Sequence, residues 1–242
     1  MRLRPASVSR GRSGAEQLAE HFVQNVMSEL PAISILITDY WDFYAPTIYL
    51  QNVRKMRQDV TIVDTSLLRY PWYLSYLEKY SPALIQASRD VVEVFSVEQR
   101  RWVNGDVFDP SKLQKSYEDL INSFVTRHEG TRPASVLFLN ETQVVPDYRR
   151  RNMGLTTRLL PENVNTAPPP PEPQYNLDGL IERDAPLDTS SCLNSRFYTA
   201  AYRTLGAQYE RAGNREAALR AGGRLSVLES KLSELGCSGQ TK

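Results

Sequence analysis

The stretch ISILITDYWDFYAPTIYLQNVRKMRQDVTIVD, residues 33–64, decides the fold. Its first six residues, Ile33–Thr38, form a short apolar run of the kind found in a strand buried on both faces. Val60–Val63 repeats that pattern. Between the two runs Pro46 stands where a helix would begin, because a first helical position has no use for the N–H that proline lacks. Ile48, Val53 and Met56 would pack that helix down. A crossover of this length between two buried strands implies a parallel, right-handed βαβ unit.

Working outward, Leu18, Phe22, Val26 and Leu30 recur every four residues and predict a helix over Ala15–Leu30. Further helices are expected at Pro71–Tyr80, Ala83–Val103 and Pro110–His128, the last with Asp109 as its cap and Pro110 at its first position. Val136–Leu139 and Leu155–Leu160 read as a third and a fourth strand. Residues 15–160 thus read as an α/β domain, small and three-layered, with a mostly parallel sheet. Residues 1–14, with Arg2, Arg4, Arg10 and Arg12, read as a disordered basic tail. Residues 161–190 form a linker: APPPPEP at 167–173 is too stiff for a helix or a central strand, and Tyr175–Asp188 reads as irregular. Helices return at Arg196–Ala212 and Arg215–Leu235 and turn at Gly213-Asn214, making a C-terminal unit over 191–242.

Composition removes several classes of function. The chain has 242 residues, is 41% hydrophobic and carries a formal charge of +1, which excludes wholesale disorder and a basic nucleic-acid footprint over its whole length. No apolar run approaches the ~18 residues of a membrane span, and the first fourteen residues lack the apolar core of a signal peptide, so the default expectation is cytoplasmic. Two cysteines, Cys192 and Cys237, are too few for a disulfide framework or a four-ligand zinc site. Cys192 reads as part of a Ser-rich loop. There is no Gly-rich phosphate loop, no HExxH and no CxxC, and His21 and His128 fall on separate helices. No catalytic residue, metal or cofactor is expected.

In open parallel sheets ligands sit outside the carboxyl ends of the strands. Here the first strand leads into Asp39, Tyr40, Trp41, Asp42, Phe43 and Tyr44, and the second ends at Asp64, with Trp72 and Tyr73 soon after. The third ends at Asn140 and Glu141. Carboxylates can take paired hydrogen bonds from sugar hydroxyls, and aromatic faces can cover a sugar's C–H face. Asp39, Tyr40, Trp41, Asp42, Tyr44, Asp64 and Trp72 are therefore the candidate ligand residues. The competing reading makes the aromatics a lid on the core and Asp39 or Asp42 a helix cap. A hydrolase built on Asp39, Asp42 or Asp64 would need a set carboxylate separation. Arg149, Arg150 and Arg151, with Arg158, form the one sharp basic cluster, either a solvated face or a site for a phosphate or lipid headgroup.

In the C-terminal unit Tyr202, Leu205, Gly206, Tyr209, Gly213 and Ala218 fall at the marker positions of a tetratricopeptide repeat, a pattern that decays at Gly222, Leu225 and Ser230. One such hairpin cannot bury its own face, so it must pack on the α/β domain or on a partner. Tyr202, Leu205 and Tyr209 are the candidate partner-binding residues. Gly206 and Ala218 are the small residues expected at the helix crossing.

The segments LPAISILITDYW (30–41), PTIYLQNVRKMRQDVTIVD (46–64) and LLRYPWYL (67–74) resemble the soluble C-terminal region of a family of multi-span membrane glycosyltransferases, the protein O-mannosyltransferase-like enzymes. Asp39, Trp41, Pro46, Tyr49, Leu50, Gln51, Arg57, Asp59, Val60, Asp64, Leu68, Trp72 and Tyr73 carry the resemblance. In that family catalysis is ascribed to an acidic residue of the membrane-embedded half, so the resemblance transfers no catalytic residue to this chain. It implies an accessory domain on the extracytoplasmic side, whose partner is a multi-span membrane glycosyltransferase met through the helical hairpin. The expected function is a non-catalytic accessory or interaction domain. The alternatives are a carbohydrate- or sugar-phosphate-binding domain with its site at the strand ends, and a stand-alone carboxylate-based hydrolase or transferase.

Overall fold

Strand β1 (Ile35–Thr38) pairs in parallel with β2 (Thr61–Asp64), Ile35 opposite Thr61 and Thr38 opposite Asp64, and helix α2 (Trp41–Asn52) connects them. The computed structural model describes residues 14–139, 144–162, 164, 168–182 and 186–237. The expected basic tail up to residue 13 and the strand-end pair Asn140 and Glu141 lie outside the described residues. Strand β3 (Ala134–Leu137) flanks β1 on its other side, also parallel. Every residue of β1 and β3 is buried, which requires cover on both faces of the sheet. Helices α1 (Gly14–Glu29), α2 and α7 (Thr189–Arg211) pack as one set. A second set comprises α3 (Pro71–Tyr80), α4 (Pro82–Ala87), α5 (Arg89–Asn104) and α6 (Pro110–Thr126).

The sheet is mixed beyond β3. Strand β5 (Thr157–Pro161) runs antiparallel to β3 and to β4 (Tyr148–Asn152), giving the order β2-β1-β3-β5-β4. Strand β4 is the Arg149–Arg151 run itself, which has no apolar alternation to mark it as a strand. It lies at the sheet edge, where charged side chains discourage pairing with another chain.

Three further boundaries differ from expectation. Helix α2 begins at Trp41 and contains Pro46, so the aromatic segment is its first turn rather than a loop. The helix expected over Ala83–Val103 is split at Ser88, where the backbone leaves helical geometry (φ −109°, ψ 18°). Helix α7 starts seven residues early because Asp188 caps it, accepting bonds of 2.8 Å from both the N–H and the hydroxyl of Ser191. Cys192 therefore sits in the first turn of α7, and it is bonded to Cys237, just beyond α8 (Arg215–Glu234), with their Cα atoms 5.6 Å apart. Two cysteines do not make a framework, but a single bridge joins the ends of this helical pair.

Helices α7 and α8 meet at Gly206, where a Cβ would lie 3.8 Å from that of Ala221. Ala217 and Ala221, not Ala218, are the small buried residues of α8. The pair packs on the α/β domain: Phe22 of α1 stacks on Phe197 and meets Tyr198 edge-on, and Asn25 Nδ2 donates to the Tyr198 hydroxyl at 2.7 Å. The proline-rich segment lies along the pair, with Glu172 bridging Arg220 and Arg224.

Two polar clamps fix α1. The half-buried Glu29 carboxylate accepts from the N–H groups of Leu155 and Thr156 at 2.8 and 2.7 Å, from the Thr156 hydroxyl at 2.7 Å and from the Tyr175 hydroxyl. Burial pushes this carboxyl above its ordinary range, against the pull of its donors. At the helix end the Arg57 guanidinium donates to the carbonyls of Met27, Leu30 and Pro31 at 2.5, 3.1 and 2.7 Å. Carbonyls at a helix end lack the intrahelical donors of its interior, and the guanidinium supplies donors to three of them. Asp59 holds the same guanidinium through both of its oxygens, at 2.9 and 3.0 Å.

Arg57 pulls the Asp59 carboxyl down to about 2, from an ordinary 3.8. A depressed folded value stabilises the fold above the unfolded pKa and loses that stabilisation as pH falls through the folded one. We expect the melting temperature to fall between about pH 4 and pH 2, and the fall to be shallower in Asp59→Asn. A pH series of thermal melts on both proteins checks this, and identical acid limbs would count against it.

Candidate functional site

Among the strand-end carboxylates, Asp64 is committed to structure. It is 1% exposed, its Oδ1 accepts the Leu67 N–H at 3.0 Å, and its own N–H donates to the Tyr73 hydroxyl at 2.9 Å. It thereby ties down the first N–H of the short 3₁₀ turn Leu67–Arg69. Burial raises its pKa, and the charge of nearby Asp39 adds to the effect. The register of β1 on β2 places Asp39 next to this pair of strand ends, so the structure does bring Asp39 and Asp64 together. Asp42 lies in the first turn of α2, where a carboxylate suits the helix dipole.

The strand order puts the topological switch point between β1 and β3, since the chain leaves β1 toward β2 and returns on the opposite side. That crevice is where an open α/β sheet usually holds a ligand. Here it holds the protein's own side chains. Tyr40, Phe138 and Phe197 meet with ring centroids 5.3–5.8 Å apart. The Tyr40 hydroxyl donates to Asn194 at 2.7 Å, and both residues are buried. Phe138 adopts a left-handed backbone (φ 42°), a conformation that a bulky residue adopts only when its surroundings hold it there. Helix α7 plugs the crevice, and Tyr40 is part of the plug rather than a ligand contact.

The remaining aromatics form a ridge. Trp41 leans on Tyr44, Tyr44 meets Tyr73 edge-on, Tyr73 meets Trp72, and Trp72 stacks on Tyr70 at an interplanar angle of 24°. The middle of the ridge, Tyr44 and Tyr73, is buried, while Trp41 at one end and the Trp72–Tyr70 pair at the other are 57% and 55% exposed. The contacts continue along α3 through Tyr76 to Tyr80. Trp41 and Trp72 are thus available to a ligand; Tyr44 is their support.

The chain matches no family model, no curated protein and no solved structure. Among the described residues no three His, Cys, Asp or Glu side chains group to hold a metal ion, and no helix is long and apolar enough to cross a membrane. Tyr202, Leu205 and Tyr209 are buried: their side chains fill the interior of the helical pair and its contact with the linker, where Tyr175 meets Tyr198 and Tyr202. They are core residues in this structure, not an open docking face. Several residues of the segments 46–64 and 67–74 are structural as well. Gln51 Nε2 donates to the carbonyls of Arg57 and Val60 at 2.9 Å each and pins the loop before β2, alongside the Arg57–Asp59 clamp.

Proposed function

We propose that this chain is a non-catalytic accessory domain of a membrane protein-glycosylation system, acting by binding through the aromatic ridge. The exposed tryptophans of that ridge, Trp41 and Trp72, carry the reading. Amphipathic rings with a buried support are the side chains that interaction surfaces favour. The residues shared with the glycosyltransferase-like segments, Gln51, Arg57, Asp59 and Tyr73, hold loops and helix ends. What they support is a common scaffold rather than a common chemistry. On this reading the α7–α8 pair is a degenerate tetratricopeptide-like unit that braces the domain and closes the switch-point crevice. The Cys192–Cys237 bridge favours an oxidising, extracytoplasmic compartment.

Cross-linking in detergent-solubilised source membranes tests the proposal. The tagged chain is expected to recover a multi-span glycosyltransferase, identified by mass spectrometry, and the Trp41→Ala, Trp72→Ala double variant is expected to lose it. Turnover of a sugar donor by the purified chain that disappears in Asp39→Asn would overturn the reading. A second reading, glycan binding on the same ridge, is favoured by the near-parallel, exposed pair Tyr70 and Trp72. It predicts a rise in melting temperature with a glycan and its loss in the same double variant.

A further inference from the structure

At the other end of β2, where the strand begins, a cavity of about 290 Å³ opens between the end of α2, the start of β2 and helix α3. Arg132, from the loop before β3, reaches into its wall. One guanidinium nitrogen, Nη2, donates to Thr61 Oγ1 at 2.6 Å and lies 3.5 Å from the Ser34 carbonyl. Its Nε is buried with no partner, and no carboxylate pairs with it among the described residues. Asp59 lines the same cavity, but Arg57 occupies both of its oxygens. Nearby His128 adds no second positive charge: burial, then the charge of Arg132, holds its imidazole below the ordinary range. A guanidinium withdrawn from water without an anionic partner is costly, and its planar fork of donors matches a phosphate or carboxylate. Ser81 Oγ stands 3.3 Å from Thr61 Oγ1, adding two hydroxyls beside it. Tyr76 and Tyr80, with ring centroids 4.6 Å apart, form an aromatic wall, and Tyr80 is exposed.

We propose that this cavity is a binding site for a phosphorylated monosaccharide or similar small polyol, its oxyanion on Arg132, Thr61 and Ser81 and its ring against Tyr80. A cavity near the lower end of the size range of ligand pockets, about 300 Å³, suits a molecule of that size. The site lies at the far end of α3 from Trp72, joined to the ridge only through Tyr76, and stands or falls independently of the accessory reading.

NMR titrations of the full chain with inorganic phosphate and with glucose 1-phosphate test it. Both probes are expected to shift the Thr61, Ser81 and Arg132 amides saturably, the sugar phosphate at lower concentration. Losing one charge-assisted contact weakens binding by about ten- to a hundredfold, the loss expected in Arg132→Met. Tyr80→Ala is expected to weaken glucose 1-phosphate and leave phosphate unchanged. Ser81→Asp sets a carboxylate beside Arg132, so it is expected to raise the melting temperature and abolish binding of both probes. That variant decides the question even if Arg132→Met does not fold. The absence of a saturable shift with either probe, or binding that survives in Ser81→Asp, overturns the proposal and leaves Arg132 as a strand-end clamp.

Discussion

Replacing Glu29 with alanine is expected to destabilise the protein by about 3–4 kcal/mol, near the upper end for a single substitution. The carboxylate serves four donors at once, two of them the backbone N–H groups of Leu155 and Thr156 inside the turn between β4 and β5. Removing it leaves the Thr156 N–H without its acceptor and the Leu155 N–H with only the Tyr175 hydroxyl at 3.1 Å, where water has little access, since Leu155 and Thr156 are buried. Glu29→Gln keeps the shape but turns an NH₂ group toward donors, so it is expected to recover only part of the loss. Gly154 supplies an independent check. Its backbone is left-handed (φ 133°), and a Cβ there would land on the Glu29 carboxylate and the Tyr175 hydroxyl, so Gly154→Ala should disturb the same clamp. Urea melts of the three variants measure this. A Glu29→Ala midpoint equal to that of the unaltered protein would show that the clamp contributes nothing.

The second large effect is expected from the Cys192–Cys237 bridge. It spans 45 residues, and closing a loop of that length removes enough chain entropy from the unfolded state to stabilise the fold by about 4 kcal/mol on the loop-entropy account. Reduction, or the double replacement by serine, should lower the guanidinium midpoint by a corresponding amount. The ends of α7 and α8 should fray first, because Arg196 also reaches the Cys237 carbonyl at 2.6 Å and would lose that anchor. Thiol counting on protein isolated without reductant gives the complementary result: no free thiol is expected. Two free thiols would remove the support for an extracytoplasmic location as well as for the stabilisation.

The parts of the fold that were legible in the sequence depend on local pattern. The apolar runs before Asp39 and before Asp64, the Asp109-Pro110 helix start and the Pro71 start all act within one or two turns, and the structure places elements there. Pro46 misled because proline is also tolerated inside a helix where the surrounding turns hold it. Strand β4 left no periodic trace, because an edge strand of arginines is shaped by the need not to pair rather than by burial. The site was harder to read than the fold. Asp39 and Asp64 meet, as the strand ends implied, but the plug of Phe138 and Phe197 over the crevice joins residues 59 positions apart in the chain. Arg132 meets Thr61 across 71 positions and Ser34 across 98, so no local motif could have announced its cavity.

The reach of the α1 clamps has a consequence for biosynthesis. Glu29 finds its donors 126 to 146 residues downstream, and Asn25 bonds to the Asn176 carbonyl, 151 residues on, and to Tyr198, 173 residues on. Contacts of such long range form late, because the chain between them must first be brought together. While the ribosome is still making β3, the first helix has its Arg57 cap and its seat on α2, where Phe22 meets Phe43, but the part of its face that Phe197 and Tyr198 cover waits for α7. A further 173 residues must follow Asn25 before α1 has all of its partners, and a chaperone that shields the rest of its surface would be engaged for most of that time.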